Sequence, residues 1–227
     1  MKQKQTFALK GNLIYTKEIG TLEILEQHYL VCEEGKVQRI YPELPEQLCG
    51  IPVEELGDRL IIPGLTDLHV HAPQYSFRSL NMDMELLEWL ETNTFPEESK
   101  FQDLDYAKKA YGIFTENVKH SATTRACIFA TIHNEATLLL MDQLEEAGIA
   151  AMVGKVNMDR NGSEELIETT EESVAETRLF IEENKDRKLI KPILTPRFTP
   201  SCTNELMEEL GKIAAEYPDI PVQSHLS

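Results

Sequence analysis

The chain has 227 residues, 41% of them hydrophobic, enough for one large domain or two smaller ones with a real core. Asp+Glu 39 against Lys+Arg 22 gives a formal charge of −17, which argues against a nucleic-acid backbone or an anionic membrane as the main partner and suits a soluble enzyme with a small ligand. Cys32, Cys49, Cys127 and Cys202 lie far apart with no Cys-X-X-Cys, a usage typical of reduced thiols, and no stretch approaches the ~18 apolar residues of a membrane helix. With no signal-type run at the start, a cytoplasmic location is expected.

Residues 1–59 read as a small β domain, sandwich-like and antiparallel. Phe7–Tyr15, His28–Cys32 and Lys36–Tyr41 are β-prone runs, and Glu34-Gly35 is a turn candidate. The Pro- and Glu-rich stretch 42–59 reads as a connection. From residue 60 the pattern changes to alternating strands and helices. Candidate strands are Leu60–His71, Thr123–Thr131, Ala150–Asn157, Ile190–Phe198 and Pro221–His225. Candidate helices are Met84–Thr92, Leu104–Ser121, Glu135–Ala147, Glu171–Asn184 and Glu205–Tyr217. Thr169 with Glu172 fits a capping box, and Gly148 a helix stop. Repeated βα units predict a parallel sheet flanked by helices, either a barrel or a doubly wound sheet. No strand is followed by Gly-X-Gly-X-X-Gly or a phosphate loop, which disfavours a dinucleotide fold. Five strands make only part of a (β/α)₈ TIM-type barrel, so residues 60–227 read as its first five βα units, and the chain as the first part of a longer polypeptide.

The first barrel strand ends in His69-Val70-His71. Alternate side chains of a strand face one way, so the two imidazoles form a candidate metal-ligand pair at the C-terminal rim, where such barrels do chemistry. His225 ends the fifth candidate strand and is a third candidate; three imidazoles with one open position make a catalytic metal site. His133 reads as a loop or supporting residue, and His28 and His120 as structural or solvated. Lys155, ending the third strand, is either a rim residue or a salt-bridged lysine. Arg197 offers a planar donor fork that matches two adjacent acceptors of a purine, and Phe198 a face to line a flat ring; an ion pair and a core phenylalanine are the plainer alternatives. Gln74 carries both donor and acceptor for a purine's amide edge, or for a loop hydrogen bond.

Pro63-Gly64-Leu65-Thr66-Asp67-Leu68-His69-Val70-His71 resembles the first-strand signature of the amidohydrolase superfamily. His71-Ala72-Pro73-Gln74-Tyr75-Ser76-Phe77, Leu87-Glu88-Trp89-Leu90 with Thr94-Phe95-Pro96-Glu97, Phe129-Ala130-Thr131-Ile132-His133, Val153-Gly154-Lys155-Val156, Thr169-Thr170-Glu171-Glu172-Ser173, Thr195-Pro196-Arg197-Phe198 and Gln223-Ser224-His225 resemble its guanine deaminase family. The resemblance implies one Zn²⁺, with Fe²⁺ as the alternative, on His69, His71 and His225. It implies contacts to guanine from His71, Ala72, Pro73, Gln74, Arg197, Phe198 and His225, and a homodimer. The implied reaction is attack of a metal-activated hydroxide on C2 of guanine, releasing ammonia and xanthine. It also implies a Glu proton shuttle, a sixth-strand His and an eighth-strand Asp, none of which falls within these residues. On that reading the segment alone is inactive. Two other readings are a related deaminase or chlorohydrolase of another purine, pterin or triazine, and a non-catalytic barrel piece acting in assembly.

Overall fold

The computed structural model describes residues 6–226. The chain divides into two compact units, Met1–Gly64 and Leu65–Ser227.

The first unit holds β1 (Thr6–Glu18), β2 (Thr21–Glu33), β3 (Lys36–Tyr41) and β4 (Val53–Ile61) in one four-stranded sheet ordered β3-β2-β1-β4. Strands β1, β2 and β3 pair antiparallel as expected. Glu34 and Gly35 both take positive φ (52° and 78°), the backbone that a two-residue hairpin turn demands. Two expectations are corrected. The stretch 42–59 is not merely a connection, because Val53–Ile61 runs parallel to β1. Nor does a sandwich form among the described residues: four strands in one layer leave no second sheet. Strand β4 escapes a sequence reading because it is charged and largely exposed, without the alternation that marks a half-buried strand.

The second unit is a run of βα elements. Its parallel sheet is ordered β5 (Leu65–His71), β6 (Thr123–Phe129), β7 (Ala150–Gly154) and β9 (Ile190–Pro192). Strand β8 (Val156–Asn157) pairs parallel with β10 (Thr195–Pro196). The predicted strand Leu60–His71 is two strands separated at Ile62-Pro63-Gly64, where proline withholds a ladder donor. The segment Pro221–His225 is extended but forms no named strand. It is held by one bridge, Leu194 with Val222, and by backbone bonds from Gln223 to Leu194 (2.9 Å) and His225 to Arg197 (3.0 Å).

The helices cover the sheet with apolar stripes. Helix α3 (Leu104–Lys119) starts at Asp103, whose side chain accepts from the amides of Asp105 and Tyr106, and buries Ala107, Tyr111 and Phe114. Helix α4 (Asn134–Glu146) buries Ala136, Leu140, Met141 and Leu144. It ends as its sequence requires: Gly148 takes φ 76°, its amide reaches Glu145 O, and the Ile149 amide reaches Leu144 O at 3.0 Å. Helix α5 (Thr170–Asn184) opens with the complete Thr169/Glu172 capping box, and α6 (Asn204–Glu216) is capped by Thr203. These faces meet Ile128, Ala151, Val153 and Ile190 of the sheet in one core. Among the described residues no helix is long and apolar enough to cross a membrane.

The predicted helix Met84–Thr92 differs most. Helix α1 (Leu86–Trp89) runs through a π-turn, Leu90–Thr94, directly into α2 (Phe95–Glu98). Pro96 stands at the junction where the π-turn passes into α2.

Gly154 ends β7 where the chain passes closest to the Ile193–Thr195 segment. A Cβ there would stand 2.8 Å from Thr195 Cβ and 2.9 Å from Ile193 O. Gly154→Ala is therefore expected to destabilise the fold by about 1–3 kcal/mol. A denaturation midpoint equal to wild type would show that Thr195 can move aside.

Candidate metal centre and adjoining pocket

Strand alternation brings His69 and His71 to one side of β5, and the Arg197 carbonyl brings His225 to meet them. His71 Nε2 lies 2.9 Å from His225 Nε2, which lies 3.2 Å from His69 Nε2, and the three candidate ligand atoms are within 4.8 Å of one another. Phe129, fully buried at the end of β6, supports all three. It stacks on His71 (centroids 4.6 Å, planes at 20°) and lies 4.5 Å from His225 and 4.9 Å from His69.

His225 Nδ1 sits 2.7 Å from the Arg197 carbonyl oxygen. A carbonyl only accepts, so Nδ1 carries the hydrogen and Nε2 directs its lone pair at the cluster. Two lone pairs cannot face each other at 2.9 Å, so a proton or a cation must lie between these rings. Ligand nitrogens about 2.05 Å from a tetrahedral ion stand ~3.3 Å apart. The observed spacings approach that value, and the donor set fits a divalent cation of zinc's type. Burial, followed by the positive charge of Arg197 and by coupling to the neighbouring imidazoles, holds His71 well below the usual imidazole range. Burial lowers His225 as well. Both rings are thus neutral near pH 7, the form that can coordinate a metal.

A cavity of about 90 Å³ adjoins the cluster, lined by His71, His225, Gln74, Arg197 and Phe198 on one side and by Leu86, Trp89 and Leu90 on the other. Gln74 lies in the turn Pro73–Phe77 just beyond β5, and Arg197 and Phe198 follow β10. Ala72 and Pro73, expected beside them, are buried and are not among the lining residues; Ala72 belongs to the core. Trp89 and Leu90 belong to a motif that carries the family resemblance, but the sequence does not mark them or Leu86 as cavity lining, because their helical spacing reads equally well as ordinary core.

The Arg197 fork is engaged inside the protein. Its Nη1 lies 2.6 Å from Glu98 Oε2 and its Nη2 3.3 Å from Glu98 Oε1, with both side chains almost completely buried. Glu98 was missed in the sequence, although a signal existed. Leu90, Thr94 and Phe101, all buried, put Glu98 on the same helical face, and a buried carboxylate demands a partner.

Other candidates lie apart from this centre. Lys155 is the salt-bridged lysine of the two alternatives: Nζ is 2.6 Å from Glu168 Oε2 and fully enclosed. Burial lowers its pKa and raises that of Glu168. His133 is the N-cap residue of α4, and its Nε2 has no partner. His28 is half-buried and His120 exposed, each with Nδ1 on a nearby backbone carbonyl.

Residues 60–227 match the Amidohydrolase family model. The chain is 40% identical to a guanine deaminase of Dictyostelium discoideum over 96% of its own length and 52% of that protein's. It is 41% identical to the guanine deaminase of Homo sapiens, over 96% of its length and 50% of that protein's. The crystal structure of guanine deaminase from C. acetobutylicum with guanine bound in its active site superposes with a TM-score of 0.94 at 45% identity, covering 98% of this chain and 53% of that one. The chain thus spans about half the length of the curated relatives it matches. A parallel sheet of βα units, three imidazoles gathered at its C-terminal rim and a family match over residues 60–227 agree, and the chain belongs to the amidohydrolase family.

Proposed function

We propose that this chain carries the metal-binding and ring-recognition part of a guanine deaminase, which hydrolyses guanine to xanthine and ammonia. The observation that carries the reading is the convergence of His69, His71 and His225 beside a small, mostly apolar cavity edged by Arg197 and Gln74. The three Nε2 atoms would hold one divalent cation, zinc or iron. When bound, zinc brings the pKa of water down to ~7, so that hydroxide is present at neutral pH. The Arg197 carbonyl fixes the tautomer of His225. Arg197 and Gln74 offer donors and an acceptor to the polar edge of a planar ring. Leu86, Trp89, Leu90 and Phe198 cover its faces and exclude water. Similarity to guanine deaminases, one of them solved with guanine in its active site, favours guanine over other heterocycles.

The test is ammonia release by the full-length protein from guanine, adenine, a pterin and a chlorotriazine. Guanine is expected to be the preferred substrate by a wide margin. Arg197→Ala is expected to lower kcat/KM for guanine by about 10- to 100-fold, the worth of a bidentate contact to a purine edge. No ammonia from guanine, or equal turnover of another ring, would reject the assignment.

A further inference from the structure

Glu98 joins the two side chains that face the polar end of the cavity. Gln74 Nε2 donates to its Oε1 at 3.0 Å, and both Nη atoms of Arg197 donate to its two oxygens. These three residues come from separate elements: the turn after β5, the end of α2 and the segment after β10. The carboxylate is 1% exposed and the arginine 2%, so neither is held by solvent. The preceding residue, Glu97, secures the same turn from its other side. It accepts from Ser76 Oγ at 2.7 Å and from the Tyr106 hydroxyl, and pairs with Lys100 at 2.6 Å. Consecutive carboxylates of α2 therefore clamp the turn that presents Gln74, and one of them reaches across to Arg197.

We propose that Glu98 is a positioning residue for ring recognition, an inference that rests on the proposed function. Its effect is threefold. It commits two of the five donors of Arg197 and so fixes the plane and direction of the remaining three. It takes one amide hydrogen of Gln74, whose nitrogen also lies 3.1 Å from His71 Nδ1, leaving the Gln74 carbonyl oxygen as the acceptor offered to a ligand N–H. It also balances the guanidinium charge, so the cavity presents directed donors without net charge. That arrangement suits a neutral heterocycle with adjacent acceptors rather than a carboxylate or phosphate.

The test uses the full-length protein with guanine, comparing wild type, Glu98→Gln, Arg197→Met and the double variant. Glu98→Gln is expected to raise KM at least about 10-fold while kcat changes less than about threefold, the signature of lost ring binding. Metal content is expected to be unchanged. In the Arg197→Met background the same change is expected to raise KM by no more than about threefold, because the route through Arg197 is already gone. Glu98→Asp, which keeps the charge but draws it back from both partners, is expected to raise KM several-fold in a folded protein with unchanged metal content. It decides the matter if Glu98→Gln fails to fold. A KM within about twofold of wild type in Glu98→Gln or Glu98→Asp would overturn the inference and leave the proposed function standing, as would effects of Glu98→Gln and Arg197→Met that simply multiply. Absence of guanine turnover in wild type would remove both.

Discussion

Replacing His71 by alanine is expected to strip the protein of its metal and abolish turnover. His71 packs against both Phe129 and His225, which also touch each other, and its Nε2 lies 2.9 Å from that of His225. Removing it leaves two ring nitrogens, one of them on the exposed His69. Water cannot be activated at neutral pH without the ion. A loss of about 4 kcal/mol of transition-state stabilisation corresponds to ~10³-fold in kcat/KM. Metal analysis after dialysis, alongside the guanine assay, checks both halves of the expectation. Alanine leaves the Phe129 face open, so circular dichroism must accompany these measurements to separate loss of the ion from loss of the fold. A variant that kept its metal and its rate would remove His71 from the centre.

The second large effect is expected at Lys155, through stability. Its ammonium and the Glu168 carboxylate lie 2.6 Å apart, with side chains 1% and 11% exposed. Lys155→Met leaves a carboxylate enclosed without its partner, which costs about 3–5 kcal/mol. At ~2–4 °C per kcal/mol for a unit of this size, the melting temperature should fall by roughly 10 °C. Burial already raises Glu168, and losing the lysine raises it further. A carboxyl whose folded pKa exceeds its unfolded value favours the fold at low pH and opposes it as pH rises. The deficit of Lys155→Met should therefore be greatest near neutrality and shrink as pH falls toward ~4.3. Adding Glu168→Met should restore most of the stability, since an apolar pair of similar volume often replaces a buried ion pair without loss. A double variant as unstable as the single one would show that Glu168 has a role beyond this pair.

Much of the second unit was legible from the residues because its signals are local. The Thr169/Glu172 box, Gly148 and the apolar stripes of α3, α4 and α6 each act within a few turns of chain, and helices form where they indicate. The His69/His71 pair was legible because strand alternation puts both rings on one side. Tertiary pairing decided what was misread. Strand β4 exists because β1 offers an edge, whatever its own composition suggests. The segment 221–225 has a strand's composition but only one bridge to Leu194. Glu98 was hidden because its role depends on Arg197, ninety-nine residues away in sequence. The motif containing Arg197 was visible from the residues, but the carboxylate that occupies its fork was not.

The carbonyl oxygen of Arg197 receives both the backbone amide of His225 (3.0 Å) and its ring Nδ1 (2.7 Å). One peptide group therefore anchors a histidine of the cluster while its own side chain faces the cavity. Altering this rim toward other rings must proceed by exchanging side chains on a stationary main chain. An insertion, or a backbone kink at this position, would dislodge the histidine together with the Arg197 side chain.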